Sequence, residues 1–285
     1  MDIFDIVSQT ARLACEQAAD DAPHAARSGQ AHAPLMSVVP WARLLIADAD
    51  ALDPTQAGST ADTSIEVPPT WRDLGPDRLA DPATRWTDGR GQSRPVYRLL
   101  VGWLLGRVCE RAPELASVLR PWSDAFAQAE SRADYAPAEA HHALWSRLLW
   151  PEQQLGAAFS CDSASLFELG PDDQLEPWTF RELVGLHALS RLALHTGEPA
   201  LHARARQVAE YHHAHTQPDY TTYQPWAVAE FLSDPFTAMF GEQQLHDVRT
   251  HLAIGGPGAS VVAALLLCEA CDALRTAADH AGASR

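Results

Sequence analysis

The residues with most to offer chemically lie in YHHAHTQPDYTTYQPW, positions 211 to 226, where imidazole, phenol, carboxyl and indole groups gather at a break between two helices. Traced backward from that break, Leu201, Ala205, Val208, His212 and His215 recur at helical spacing, so both histidines extend an apolar face that His213 does not share. An imidazole turned inward needs a hydrogen-bond partner or a ligand, because an unsatisfied buried polar group costs about 1–3 kcal/mol. His212 or His215 can act as a general base near neutral pH, and Asp219 can orient the ring or serve as an acid if its pKa is raised. Tyr220, Tyr223 and Trp226, with Glu230 in the helix that follows, supply the walls and contacts of an organic-ligand pocket. The same residues admit a structural reading, in which the histidines satisfy backbone carbonyls, the tyrosines pack the turn and Asp219 caps it.

Other constellations carry less. His212, His215 and Asp219 offer nitrogen and oxygen ligands, but a catalytic zinc site wants three well-placed protein ligands and His213 faces elsewhere, so no metal and no cofactor are expected. Cys268 and Cys271 have dithiol spacing yet fall late in an apolar helix, where thiols serve as small hydrophobes. GGPG at 255 to 258 lacks the P-loop lysine and a preceding strand, and reads as a tight turn. Ser160, Ser163 and Ser165 have no nucleophile elbow around them. The carboxylate pairs Asp124 with Glu130 and Asp172 with Asp173 read as surface acids. His141 and His142, adjacent and hence about 100° apart on a helix, are expected near an exposed surface. Glu182 and His187, five positions apart, share no face closely and add little.

The elements that must position these groups are helical. A first helix spans 2 to about 20, and a shorter one lies within Leu35–Ala49. A loop with too little apolar content to pack, read as mobile, covers 52–69, and an irregular segment pinned by Trp71 and Trp86 runs to Arg94. Pro95 opens a buried helix ending near Arg111, whose Gly102 and Gly106 permit close approach of a neighbour. Helices follow at 114–130, broken or bent at Pro121, and from Pro137 to the Trp150–Pro151 junction. Gly170–Pro171 marks a subdomain break within a single mainly helical domain of residues 1–285. Beyond it, 176–195 is helical, Gly197 stops it, and Pro199 starts the next helix, which ends by Gln217. Pro225 starts WAVAEFL, residues 241 to 253 form another helix, and Ser260 caps the last. No stretch alternates with period two, so the fold class is all-α, built of consecutive antiparallel helical hairpins.

Composition narrows the partners. With 21 basic and 37 acidic residues in 285, the net charge is −16, which repels nucleic acid and anionic membranes. The amino terminus lacks a basic segment followed by an apolar run, and VVAALLLCEAC meets Glu269 and Asp272 too early to span a bilayer core of about 30 Å. Five scattered cysteines, Cys15, Cys109, Cys161, Cys268 and Cys271, fit a reducing compartment, and a cytoplasmic location is expected.

The stretch EPWTFRELVGLHALSRLALHTGEPALHARARQVAEYHHAHTQPDYTTYQPWAVAEF, residues 176 to 231, resembles the hairpin units of α/α toroids, the architecture of terpenoid cyclases, prenyltransferase subunits and several carbohydrate-active enzymes. The resemblance implies hairpins closed into a ring around a central cavity, with a short solenoid as the open alternative. The aspartate signature of terpene cyclases and any Gly-aromatic repeat are absent, so no family chemistry is carried across. The expected function is binding of a small organic molecule or peptide in a concave or central helical cavity. Its rivals are an acid–base enzyme using His212 to Trp226 and a structural protein-interaction module.

Overall fold

The computed structural model describes residues 3–25, 32–46, 67–153, 164–216, 224–254 and 260–283. Among them the chain is all-α: α1 (Ile3–Ala25), α2 (Val39–Ala42), α3 (Pro69–Leu74), α4 (Pro76–Ala80), α5 (Pro95–Arg111), α6 (Pro113–Glu130), α7 (Ala140–Leu149), α8 (Leu175–Thr196), α9 (Pro199–His215), α10 (Val228–Ser233), α11 (Ala238–Ile254) and α12 (Ser260–Ala283). Two short strands, β1 (His32–Pro34) and β2 (Arg85–Thr87), pair in parallel, Ala33 opposite Trp86. No described helix is long and apolar enough to cross a membrane. Most of the 52–69 loop, the GGPG turn, Cys161, Ser160 and Ser163 lie outside the described residues.

Proline starts and glycine stops organise the hairpins. Pro95, Pro113 and Pro199 stand in the first turns of α5, α6 and α9, where a missing N–H costs nothing. α8 ends at Gly197, left-handed at φ 66°, whose N–H donates to the Ala193 carbonyl at 2.9 Å. α5 packs on α6 and α8 on α9 across these short connections. The α5–α6 approach is close enough that a Cβ on Gly102 would stand 2.9 Å from the Phe126 Cβ, whereas one on Gly106 would make an ordinary 3.6 Å contact with Ser123 Oγ.

Several sequence expectations need correction. The helix read within Leu35–Ala49 is a one-turn α2 between two 3₁₀ turns, Leu35–Val38 and Arg43–Ile46, with Pro40 in its first turn. Pro121 sits inside an unbroken α6. WAVAEFL becomes helical only from Val228, because Ala227 is left-handed at φ 58°. His141 and His142 are buried at 7% and 5% exposure, their rings 4.0 Å apart, because α7 packs against α5, α6 and α8 and is covered on both sides.

The centre of the packing is α12. From Ser260 to Ala273 every side chain is buried, against α1, α2, α8 and α10. Cys15 of α1 and Cys268 of α12 meet with sulfurs 3.6 Å apart, so the near neighbour of Cys268 is on another helix and not Cys271. Glu269 and Asp272, the acids that interrupt the apolar run, are also interior and are met by arginines: Arg191 of α8 on Glu269, Arg107 and Arg111 of α5 on Asp272. Buried ions must be paired this way, since each carries a desolvation penalty of several kcal/mol. The pairs fix α5 and α8 in register on α12.

Candidate functional site

His212 is fully buried, and both its nitrogens are engaged. Nε2 lies 2.9 Å from Glu182 Oε2 and Nδ1 lies 2.9 Å from the Thr216 hydroxyl. The Glu182 carboxylate also accepts the N–H groups of Leu166, at 2.8 Å, and Phe167. His212 and Glu182 therefore join α9 to α8 and to the segment before it. Glu182, which spacing alone set aside, is the group that satisfies the inward imidazole.

His215, one turn on, is exposed and rests its ring 5.0 Å from Tyr211. Asp219, Tyr220 and Tyr223 lie outside the described residues. Trp226 is fully buried, packed edge to face on Trp145, Phe180 and His187 at 5.9, 6.1 and 5.6 Å. Glu230 lines a cavity.

That cavity, of about 510 Å³, opens between α8, α9, α10 and α12. Its polar lining includes Arg191, Arg206, Glu210, Glu230 and Asp234. Behind it stands a buried ion cluster. Glu269 takes Arg191 in a two-point contact, Nη2 to Oε2 at 2.7 Å, and faces His187 Nε2 at 2.9 Å, off the axis of a straight hydrogen bond. Burial alone would raise its pKa, but Arg191 and His187 hold it far below the carboxylate range. Burial keeps His187 below its ordinary value despite Glu269. The neutral ring then places its proton on Nε2, since Nδ1 accepts the Ala227 N–H at 3.1 Å.

Ala227 is the one non-glycine residue with positive φ among the described residues, and such strain persists only where the surroundings enforce it. Here His187 enforces it, and α10 begins at the next residue. The strained start thus sets where α10 points Glu230.

Within the cavity the arginines are already committed. Arg191 is held by Glu269, and Arg206 Nε is 2.8 Å from Asp234 Oδ2. Glu230 and Glu210 carry no ion pair or side-chain hydrogen bond among the described residues. Burial raises the Glu230 pKa, against the lowering pull of Arg191 and Arg206. Half-buried and unmatched, the carboxyl asks for a positive partner.

No family model, curated protein or solved structure matches the chain.

The chemistry therefore rests on these residues alone. All 21 basic residues are arginines, so the chain holds no lysine side chain for imine formation with a carbonyl compound. Among the described residues no group of three or more His, Cys, Asp or Glu is placed to hold a metal ion. The missed residues, Arg191, Glu269, Arg206 and Asp234, did leave one signal. Arg191 and Glu269 each interrupt an apolar run, and interior charges of opposite sign must find one another.

Proposed function

We propose that this protein binds a small cationic organic molecule, such as an amine, in the cavity between α8, α9, α10 and α12, with Glu230 as counter-ion. The observation that carries this reading is the charge balance of the lining: both arginines have carboxylate partners, while among the described residues Glu230 and Glu210 have none. A cavity of about 510 Å³ falls within the usual range for small ligands, about 300–1,000 Å³. Leu194, Ala203, Ala229, Ala273 and Ala277 provide apolar wall for the organic part. An ammonium group entering there replaces some of its lost hydration with a charge-assisted hydrogen bond, worth about 1.5–3 kcal/mol.

The reading keeps ligand binding in a helical cavity and moves its polar centre from the histidines to Glu230. It is tested by titrating the full chain with benzylammonium and with benzyl alcohol, a neutral molecule of similar shape. Binding of the ammonium at least tenfold tighter than the alcohol supports it. Equal binding, or none by either, removes the cation from the account.

A further inference from the structure

Glu182, His212 and Thr216 stand in line as carboxylate, imidazole and hydroxyl, with Glu182 Oε2 2.9 Å from His212 Nε2 and the Thr216 oxygen 2.9 Å from Nδ1. We infer that Thr216 is a nucleophile for acyl transfer from small uncharged esters, with His212 as its general base and Glu182 positioning the base. None of the three lines the cavity that holds Glu230, so this activity is separate from cation binding there.

The surroundings of Glu182 place the proton on the ring. Its two oxygens already accept the N–H groups of Leu166 and Phe167, one each, so the carboxylate is an acceptor toward His212 as well. Nε2 therefore bears the proton of the neutral imidazole, and the lone pair on Nδ1 faces the Thr216 hydroxyl. The competing acceptor is the His212 carbonyl, 3.2 Å from the same hydroxyl and already taking the Thr216 N–H at 3.2 Å. Nδ1, at 2.9 Å, is the nearer of the two. A hydroxyl bonded to a base that a third group orients is the arrangement that activates an alcohol for covalent catalysis.

Burial is graded along the three groups. Glu182 and His212 are fully buried, whereas Thr216, the residue after α9, is only half-buried and forms the outer end of the relay. The base is thereby shielded from water while the nucleophile stays nearer the surface. The positive charge that His212 takes up during attack falls in the last turn of α9, where the carbonyl ends of the peptide dipoles favour a cation, and against the Glu182 carboxylate.

In the first step the Thr216 oxygen bonds to the ester carbonyl carbon while its proton passes to Nδ1. The bond from that carbon to the leaving alcohol then breaks, and the alcohol takes the proton from Nδ1. Water attacks the acyl-threonine ester so formed and gives its proton to Nδ1. Collapse returns that proton to the Thr216 oxygen and releases the carboxylic acid, with water as co-reactant. The net charge of −16 disfavours an anionic ester, and the half-buried Tyr211 ring, 5.3 Å from the imidazole, provides apolar surface beside it.

The probe is p-nitrophenyl acetate, incubated with the full chain and followed by nitrophenolate release and, after acid quenching, by mass spectrometry of the peptide that carries Thr216. An acetyl group is expected on Thr216, with release at least tenfold faster in the wild type than in Thr216→Val, retained in Thr216→Ser and unchanged in Glu230→Gln. The imidazole nitrogen resonances of His212 are expected to show its proton on Nε2, the signature of positioning by Glu182. That signal is read on the wild-type chain, so it stands even where a variant fails to fold. Acetyl on the exposed His215 and not on Thr216, equal release by the wild type and Thr216→Val, or the proton on Nδ1 would each overturn the assignment.

Discussion

Removing the Glu269 carboxylate strands Arg191 in the interior, and breaking a buried ion pair on one side costs about 3–5 kcal/mol. Glu269→Ala is therefore expected to lower unfolding stability by that amount in urea titrations. A loss no greater than about 0.5 kcal/mol, the scale of a surface substitution, would refute the role given to this cluster. At this scale the sequence was legible in part. The four-and-three spacing through Val208, His212 and His215 placed His212 inward, where it is found, yet carried no information about how far the apolar face continues, and His215 is exposed. Glu182 and His187 were set aside because they do not share a face. Each instead serves a different neighbour, Glu182 reaching His212 on α9 and His187 reaching Glu269 on α12. Partners that distant in sequence are fixed by helix packing, which local spacing does not encode.

Close packing of α5 on α6 makes a contrast between two glycines on one helix face. Gly102→Ala drives a methyl group against Phe126 and is expected to cost about 1–3 kcal/mol, the range for overpacking. Gly106→Ala meets only Ser123 Oγ at an ordinary distance and gains helix propensity, so it is expected to be neutral or mildly stabilising. Thermal melts of the two variants check this, and equal loss by both would contradict the packing described. Elements were the most readable level of this chain, because proline starts and the Gly197 stop are local signals. Misreadings fell where tertiary contacts decide. Leu35–Ala49 has the apolar content of a helix but packs as 3₁₀ turns around α2, and α7 hides both His141 and His142 because three helices cover it. Ala227 delays α10 by adopting a conformation that His187, forty residues earlier, holds in place.

Over the whole molecule, burial lowers the pKa values of His141 to about 3 and of His142 to about 4. An unfolded chain binds protons at these positions below about pH 6.5, and the folded one does not until nearer pH 4, so the unfolded state holds more protons in that window. Stability is thus expected to fall as pH drops from about 6.5 toward 4, by roughly 1 kcal/mol per pH unit for each buried histidine. Glu269, held below the carboxylate range, keeps its contribution throughout that window and loses it only in stronger acid. Urea unfolding at pH 7, 5.5 and 4.5 tests the slope, and a flat profile would contradict the neutral, buried state of these rings. The excess of acids, −16 overall, already favours approach of cations to the molecule, and the unmatched carboxyl of Glu230 gives them a place to stop. The most direct measurement is calorimetric titration of benzylammonium into the wild-type chain and into Glu230→Gln, which keeps the side chain's shape and removes its charge. The account predicts about tenfold weaker binding in the variant with an unchanged melting temperature. Binding of equal strength in both would contradict it.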